Sequence, residues 1–163
     1  IAEGEVNKFV KEWKKNPYLW DSEADIHGEL YVRIKEGIKR ADKTKIKHQY
    51  KKYMNKKERF ERVYCKPLTY VKRSNYYPDI VIYGDRRFDY GDERINEPML
   101  WVCEIKYKSQ WGGDQSEENR RYDRTKLERL LRQQKYPKMQ ACCLSFARYK
   151  DKLPAFKREP IRS

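Results

Sequence analysis

The sequence predicts an α/β protein with a central mixed β-sheet of about four strands flanked by helices. Three observations carry that expectation. Apolar residues recur at helical spacing in two segments near the N-terminus. From residue 60 the pattern changes to short β-branched and aromatic runs bounded by turn residues. One more helical stretch then separates the last two of these runs, so the expected order is α-α-β-β-β-α-β.

Residues 2–15 read as a helix because Val6, Phe9, Val10 and Trp13 fall on one face, and Asn16-Pro17 ends it. A second helix is expected over roughly 22–40, capped by Asp21 or Ser22. Its Ile26, Leu30, Ile34 and Ile38 form an apolar stripe, with Glu29 and Arg33 at the border of that stripe. Residues 43–59 are dominated by lysine. Ile46, Tyr50, Tyr53 and Met54 permit a helix there with a narrow buried face, read as a solvated basic element or as a phosphate-contacting arm. Residues 60–71 alternate as a strand broken near Pro67, and Tyr77 to Tyr83 form a second strand ending at Gly84. Residues 85–98 are polar and make a turn or hairpin excursion. Met99 to Tyr107 is a strongly apolar strand with two charges near its end, followed by a loop over 108–116. A helix over 117–135 carries Tyr122, Leu127, Leu130 and Leu131, with Pro137 beyond its end. Met139 to Phe146 is the last buried strand, expected beside the third through a right-handed crossover. The chain shows no internal repeat and no Gly/Ser linker, so 1–163 reads as one domain. Its core is expected at about 22–146, with helix 2–15 and a basic tail over 147–163 peripheral.

The length of 163 residues suits one domain and permits a sizeable core. Charged residues make up 39% of the chain, which leans toward disorder, but 14 Tyr, 5 Phe and 4 Trp oppose it. No apolar run reaches the roughly 18 to 20 residues of a membrane span, which excludes a membrane-spanning helix. Ile1-Ala-Glu-Gly has neither an apolar h-region nor an initiator Met, so no retained secretory signal is expected, and a trimmed, processed or excised chain is. Cys65, Cys103, Cys142 and Cys143 show no CxxC spacing. They read as small hydrophobes in a reducing, cytoplasmic compartment and not as a zinc site. Lys and Arg number 39 against 25 Asp and Glu, for a net charge of +14. This excess points to a polyanionic partner, nucleic acid ahead of an anionic membrane.

Two adjacent strands carry the chemistry. One opens on Pro78-Asp79 and the next ends on Glu104-Ile105-Lys106, 25 residues beyond Asp79. Side chains alternate across a strand, so Glu104 and Lys106 share a face and Ile105 points to the other. If the strands pair, Asp79 meets Glu104 at one edge of the sheet. Charges in strands this apolar need partners or a task. A plain Glu–Lys salt bridge leaves Asp79 unexplained. Two carboxylates make a hard oxygen site suited to Mg²⁺, with the Ile105 carbonyl as a further ligand. Such a metal polarises a phosphodiester, while Lys106 orients or deprotonates water and neutralises charge.

This constellation resembles the PD-(D/E)XK, or restriction-endonuclease-like, nuclease superfamily. The resemblance spans residues 22–146 in element order. It implies a restriction-endonuclease-like core, metal-dependent cleavage with Mg²⁺ (or Mn²⁺ in its place), Asp79 and Glu104 as metal ligands and Lys106 as the catalytic lysine. Family members often add a glutamate from the helix before the sheet, and Glu29 in Gly28-Glu29-Leu30 occupies the corresponding place. They also carry polar residues on the helix after the lysine strand, here Asp123, Lys126 and Gln133 or Gln134. Lys126, Arg33 and Trp111 are the expected substrate contacts. DNA is favoured over RNA, and a homodimer or a place in a longer chain or complex is plausible for such an enzyme.

The remaining candidates are weaker. His27 and His48 read as surface or capping histidines, with His27 close enough to Glu29 to lie near a site. Gly112-Gly113 lacks the GK[ST] of a phosphate loop and reads as a turn that can touch substrate. Tyr76, Tyr77, Tyr107 and Trp111 surround the two motifs, as packing residues or as stacking platforms. A non-catalytic nucleic-acid-binding module is the alternative function, and a basic face docking an acidic protein is a third.

Overall fold

A computed structural model describes residues 1–45, 63–66, 69–71, 74–83, 99–109, 117–133, 139–150 and 152–161. The expectations placed on His48, most of the lysine-rich stretch, the 85–98 excursion, Trp111, Gly112-Gly113 and Gln134 lie outside these residues.

Helix α1 (Ala2–Lys15) ends at Asn16, and Pro17 opens a short 3-10 turn to Leu19. Helix α2 (Glu23–Lys45) starts where Ser22 and Asp25 cap each other. The Asp25 N–H donates to Ser22 Oγ at 3.2 Å, and the Ser22 N–H donates to Asp25 Oδ2 at 2.9 Å, a capping box with Asp in the acidic position. The expected stripe is real: Ile26, Leu30, Ile34 and Ile38 are all buried. α1 packs on α2 closely enough that a Cβ on Gly37 would lie 2.9 Å from Glu5 Cγ.

The strands are β1 (Val63–Cys65), β2 (Thr69–Val71), β3 (Ser74–Tyr76), β4 (Ile80–Tyr83), β5 (Met99–Lys108), β6 (Gln140–Ala147) and β7 (Ala155–Ile161), with α3 (Glu117–Gln133) between β5 and β6. Five of them form one sheet in the order β1-β4-β5-β6-β7, while β2 and β3 pair only with each other. β5 and β6 are parallel, and the other neighbours are antiparallel, so the sheet is mixed as expected.

Alternation divides the core into two layers. Ile80, Ile82, Trp101, Cys103, Ile105, Leu144 and Phe146 face α1 and α2. Val81, Tyr83, Val102 and Ala141 face Leu127 and Leu130 of α3. Phe146 anchors the first layer with edge-on contacts to Phe9 and Trp13, at centroid distances of 5.7 and 5.2 Å. All four cysteines are free thiols. Among the described residues no helix is long and apolar enough to cross a membrane.

Two differences from the expected order stand out. The segment read as a peripheral basic tail supplies β7, paired along its length with β6 from Ala147↔Ala155 to Ala141↔Ile161. Arg158 pairs with Glu3 at 3.5 Å, and Arg124 of α3 is hydrogen-bonded to Glu159, so β7 touches both helical layers. The second strand begins at Ile80, not Tyr77, and Ser74–Tyr76 belongs to the separate β2–β3 hairpin.

Candidate active site

β4 is shorter than β5, and that difference makes the site. Ile80 pairs with Cys103, so Asp79, one step before β4, falls level with Glu104. Beyond that point β5 has no β4 residue to bond. Ile105 and Tyr107 turn their N–H groups to this open edge, and an unpaired buried N–H is costly. Two carboxylates take them. Asp79 Oδ2 accepts from the Ile105 N–H at 2.7 Å, and Glu23 Oε2 accepts from the Tyr107 N–H at 3.1 Å. Within a strand the N–H and C=O of one residue share a side, so the Ile105 carbonyl faces the same edge.

Asp79 is held from three more directions. The Lys66 N–H donates to its carbonyl at 3.0 Å, and Lys66 Nζ stands 3.9 Å from Oδ1. Lys66 reaches it from a left-handed conformation, φ 45°, at a cost of about 1–2 kcal/mol for a residue with a Cβ. His27 Nε2 lies 2.9 Å from the Asp79 carbonyl. A carbonyl can only accept, so this nitrogen carries the proton. Cys65 Sγ is 3.5 Å from the same nitrogen.

Glu104 and Lys106 share the face toward α3, and Ile105 packs on the other, as alternation requires. The Tyr76 hydroxyl donates to Glu104 Oε1 at 2.5 Å. Burial, reinforced by the Asp79 charge, pushes Glu104 up to about 8, although the Tyr76 bond favours the ionised form. Lys106 Nζ is 2.7 Å from Asp123 Oδ2. Burial alone would lower Lys106, but the Asp123 hydrogen bond and the charges of Asp123, Glu104 and Glu23 raise it. Glu23 is raised by burial against the opposing pull of Lys106. Lys126 Nζ sits over the rings of Tyr76 and Tyr122, at 5.3 and 4.1 Å from their centroids.

Asp79, Glu104, the Ile105 carbonyl and Lys106 are therefore brought together, with Asp123 on Lys106 and Lys126 over Tyr76. Glu29 and Arg33 are not brought to this group and instead contact each other and Glu12. Glu29 Oε1 accepts from Arg33 Nε at 2.5 Å, while Arg33 Nη2 donates to Glu12 of α1 at 2.6 Å. The Arg33 guanidinium lies 5.5 Å from the Phe9 ring centroid. Its hydrogen bond to Glu12, with support from Glu29, holds it firmly charged. This cluster fastens α1 to α2. The helical glutamate that reaches the sheet is Glu23. At 100° per residue Glu23 and His27 lie nearly in line, and Glu29 points well away from them. A Glu and a His four apart beside an apolar stripe was the available signal. Tyr76, opposite Thr69 at the open end of the β2–β3 hairpin, is expected from the sequence beside the motifs as a packing or stacking residue and not as a hydrogen-bond donor to Glu104. Trp111 lies outside the described residues.

Among the described residues no three His, Cys, Asp or Glu side chains gather closely enough to hold a metal by themselves. The two-carboxylate and one-carbonyl set is an oxygen site of lower side-chain count, of the kind Mg²⁺ takes with solvent completing its shell. No protein-family model, no curated protein and no solved structure matches this chain.

Proposed function

We propose that the chain is a Mg²⁺-dependent nuclease with a restriction-endonuclease-like core, acting on nucleic acid, DNA ahead of RNA. The observation that supports it most is the burial of Asp79 and Glu104 side by side at an open strand edge, with Lys106 next on the same face. Two buried carboxylates with one pushed up to about 8 form an acid pair short of positive charge. A divalent cation suits that deficit, and so fits these residues.

Asp79, Glu104 and the Ile105 carbonyl would hold the cation, which when bound supplies Lewis-acid activation of the phosphate. Lys106 shares the α3-facing side of β5 with Glu104, so it would act on a phosphate held beside that carboxylate. Its raised pKa keeps it an ammonium, so its role is to neutralise and orient charge and not to remove a proton. Asp123 and Glu23 keep Lys106 in place and charged. Glu23, which reaches β5 through the Tyr107 N–H, is the candidate for the helical glutamate in place of Glu29. His27 and Lys66 fix the Asp79 backbone. The net charge of +14 supplies sequence-independent affinity for phosphates.

Asp79→Ala, Glu104→Ala and Lys106→Ala should each lower cleavage by at least about a hundredfold while nucleic-acid binding and a cooperative melting transition persist, at a lower temperature for Asp79→Ala, which leaves the Ile105 N–H unpaired. Normal cleavage by all three ends the proposal. One observation favours the non-catalytic binding module: both Lys106 and Glu104 already have partners, in Asp123 and Tyr76. That reading expects salt-sensitive binding indifferent to divalent metal and no cutting.

A further inference from the structure

The outer face of α3 carries an aromatic side chain that neither the core nor the carboxylate pair uses. Tyr122 is 61% exposed. The Lys126 ammonium lies 4.1 Å from its ring centroid and so covers one of its two faces. The same ammonium is 5.3 Å from the Tyr76 ring, whose hydroxyl holds Glu104. Asp123, adjacent to Tyr122, holds Lys106. Lys126 thus stands between an exposed ring and the tyrosine that holds Glu104. On the other flank Tyr77, 52% exposed, directly precedes Pro78-Asp79.

We propose that Tyr122, braced on one face by Lys126, stacks its other face on an unpaired base beside the scissile phosphate, so that the substrate is single-stranded or carries an unpaired segment at the site. This rests on the nuclease reading above. In a duplex each base already has neighbours on both faces, and only an unpaired base has a face to offer a protein ring. Backbone charge attraction acts on duplex and single strand alike, so it does not discriminate between them. An exposed ring beside the site does.

The test is binding in EDTA, which removes cleavage from the readout. Fluorescence anisotropy is followed with fluorescein-labelled single-stranded DNA, single-stranded RNA and duplex DNA of one length. Wild type, Tyr122→Ala and Tyr122→Phe are compared, with melting curves confirming that each is folded. Tyr122→Ala should weaken single-strand binding on the order of tenfold and leave duplex binding unchanged, and Tyr122→Phe should restore it. A loss confined to DNA or to RNA supports the proposal and names the strand. An unchanged single-strand affinity, or an equal loss on duplex, overturns it. If Tyr122→Ala loses single-strand affinity but the wild type cuts nothing with Mg²⁺, stacking stands and the nuclease reading falls. If the wild type binds neither form, both fall.

Discussion

Burial and the neighbouring Asp79 charge push Glu104 to about 8 against an ordinary value of 4.5, and this has a measurable effect on stability. Between those two pH values the native state keeps a proton that the unfolded chain has released. Stability is therefore complete below the lower value and falls as pH rises through the window. In EDTA the melting temperature should drop between about pH 5 and about pH 8, and Glu104→Gln should flatten that drop. Parallel curves for the two proteins would remove the electrostatic account of Glu104. The residues themselves were legible to different degrees. Asp79, Glu104 and Lys106 stood out because charges in apolar strands need a reason. The bond of Tyr76 to Glu104 and the contacts of Lys66 did not, because a tyrosine near a strand and a lysine in a lysine-rich chain have ordinary explanations. Their positions depend on a hairpin and a left-handed turn that periodicity does not encode.

Among elements, α2 decides which glutamate serves the site. Its stripe fixes which face lies on the sheet, and helical phase then sends Glu23 and His27 toward the β5 edge and Glu29 toward Arg33. Glu23→Ala should lower cleavage on the order of tenfold or more, through the position of β5 and the charge on Lys106. Glu29→Ala should leave cleavage unchanged and cost at most about 1 kcal/mol of stability, since its ion pair is partly exposed. Cleavage rates and chemical denaturation of the two variants check this, and the reverse pattern would give the role to Glu29. The helices were readable from a continuous helical period, and β4, β5 and β6 from compact apolar runs. β7 was not: Ala155-Phe-Lys-Arg-Glu-Pro-Ile alternates weakly and contains a proline. Its place at the sheet edge resolves the conflict, because Pro160 needs no ladder partner on the open side.

At the scale of the molecule, a mixed five-stranded sheet lies between the α1–α2 layer and α3, and the candidate site occupies the edge where β4 stops short of β5. The α/β class and the mixed sheet follow from the order of periods along the chain. The edge itself does not, because it arises from the relative lengths of two strands and from carboxylates that come from α2 and from the residue before β4. The most direct test is a cleavage assay on linear and circular duplex DNA, single-stranded DNA, a branched junction and RNA. Each is incubated with Mg²⁺, Mn²⁺ or EDTA, with wild type beside Lys106→Ala. Cutting of at least one substrate that requires the metal and disappears in the variant is the expected result. Undiminished cutting by Lys106→Ala, or binding that is equal in EDTA with no cutting of any substrate, would contradict it.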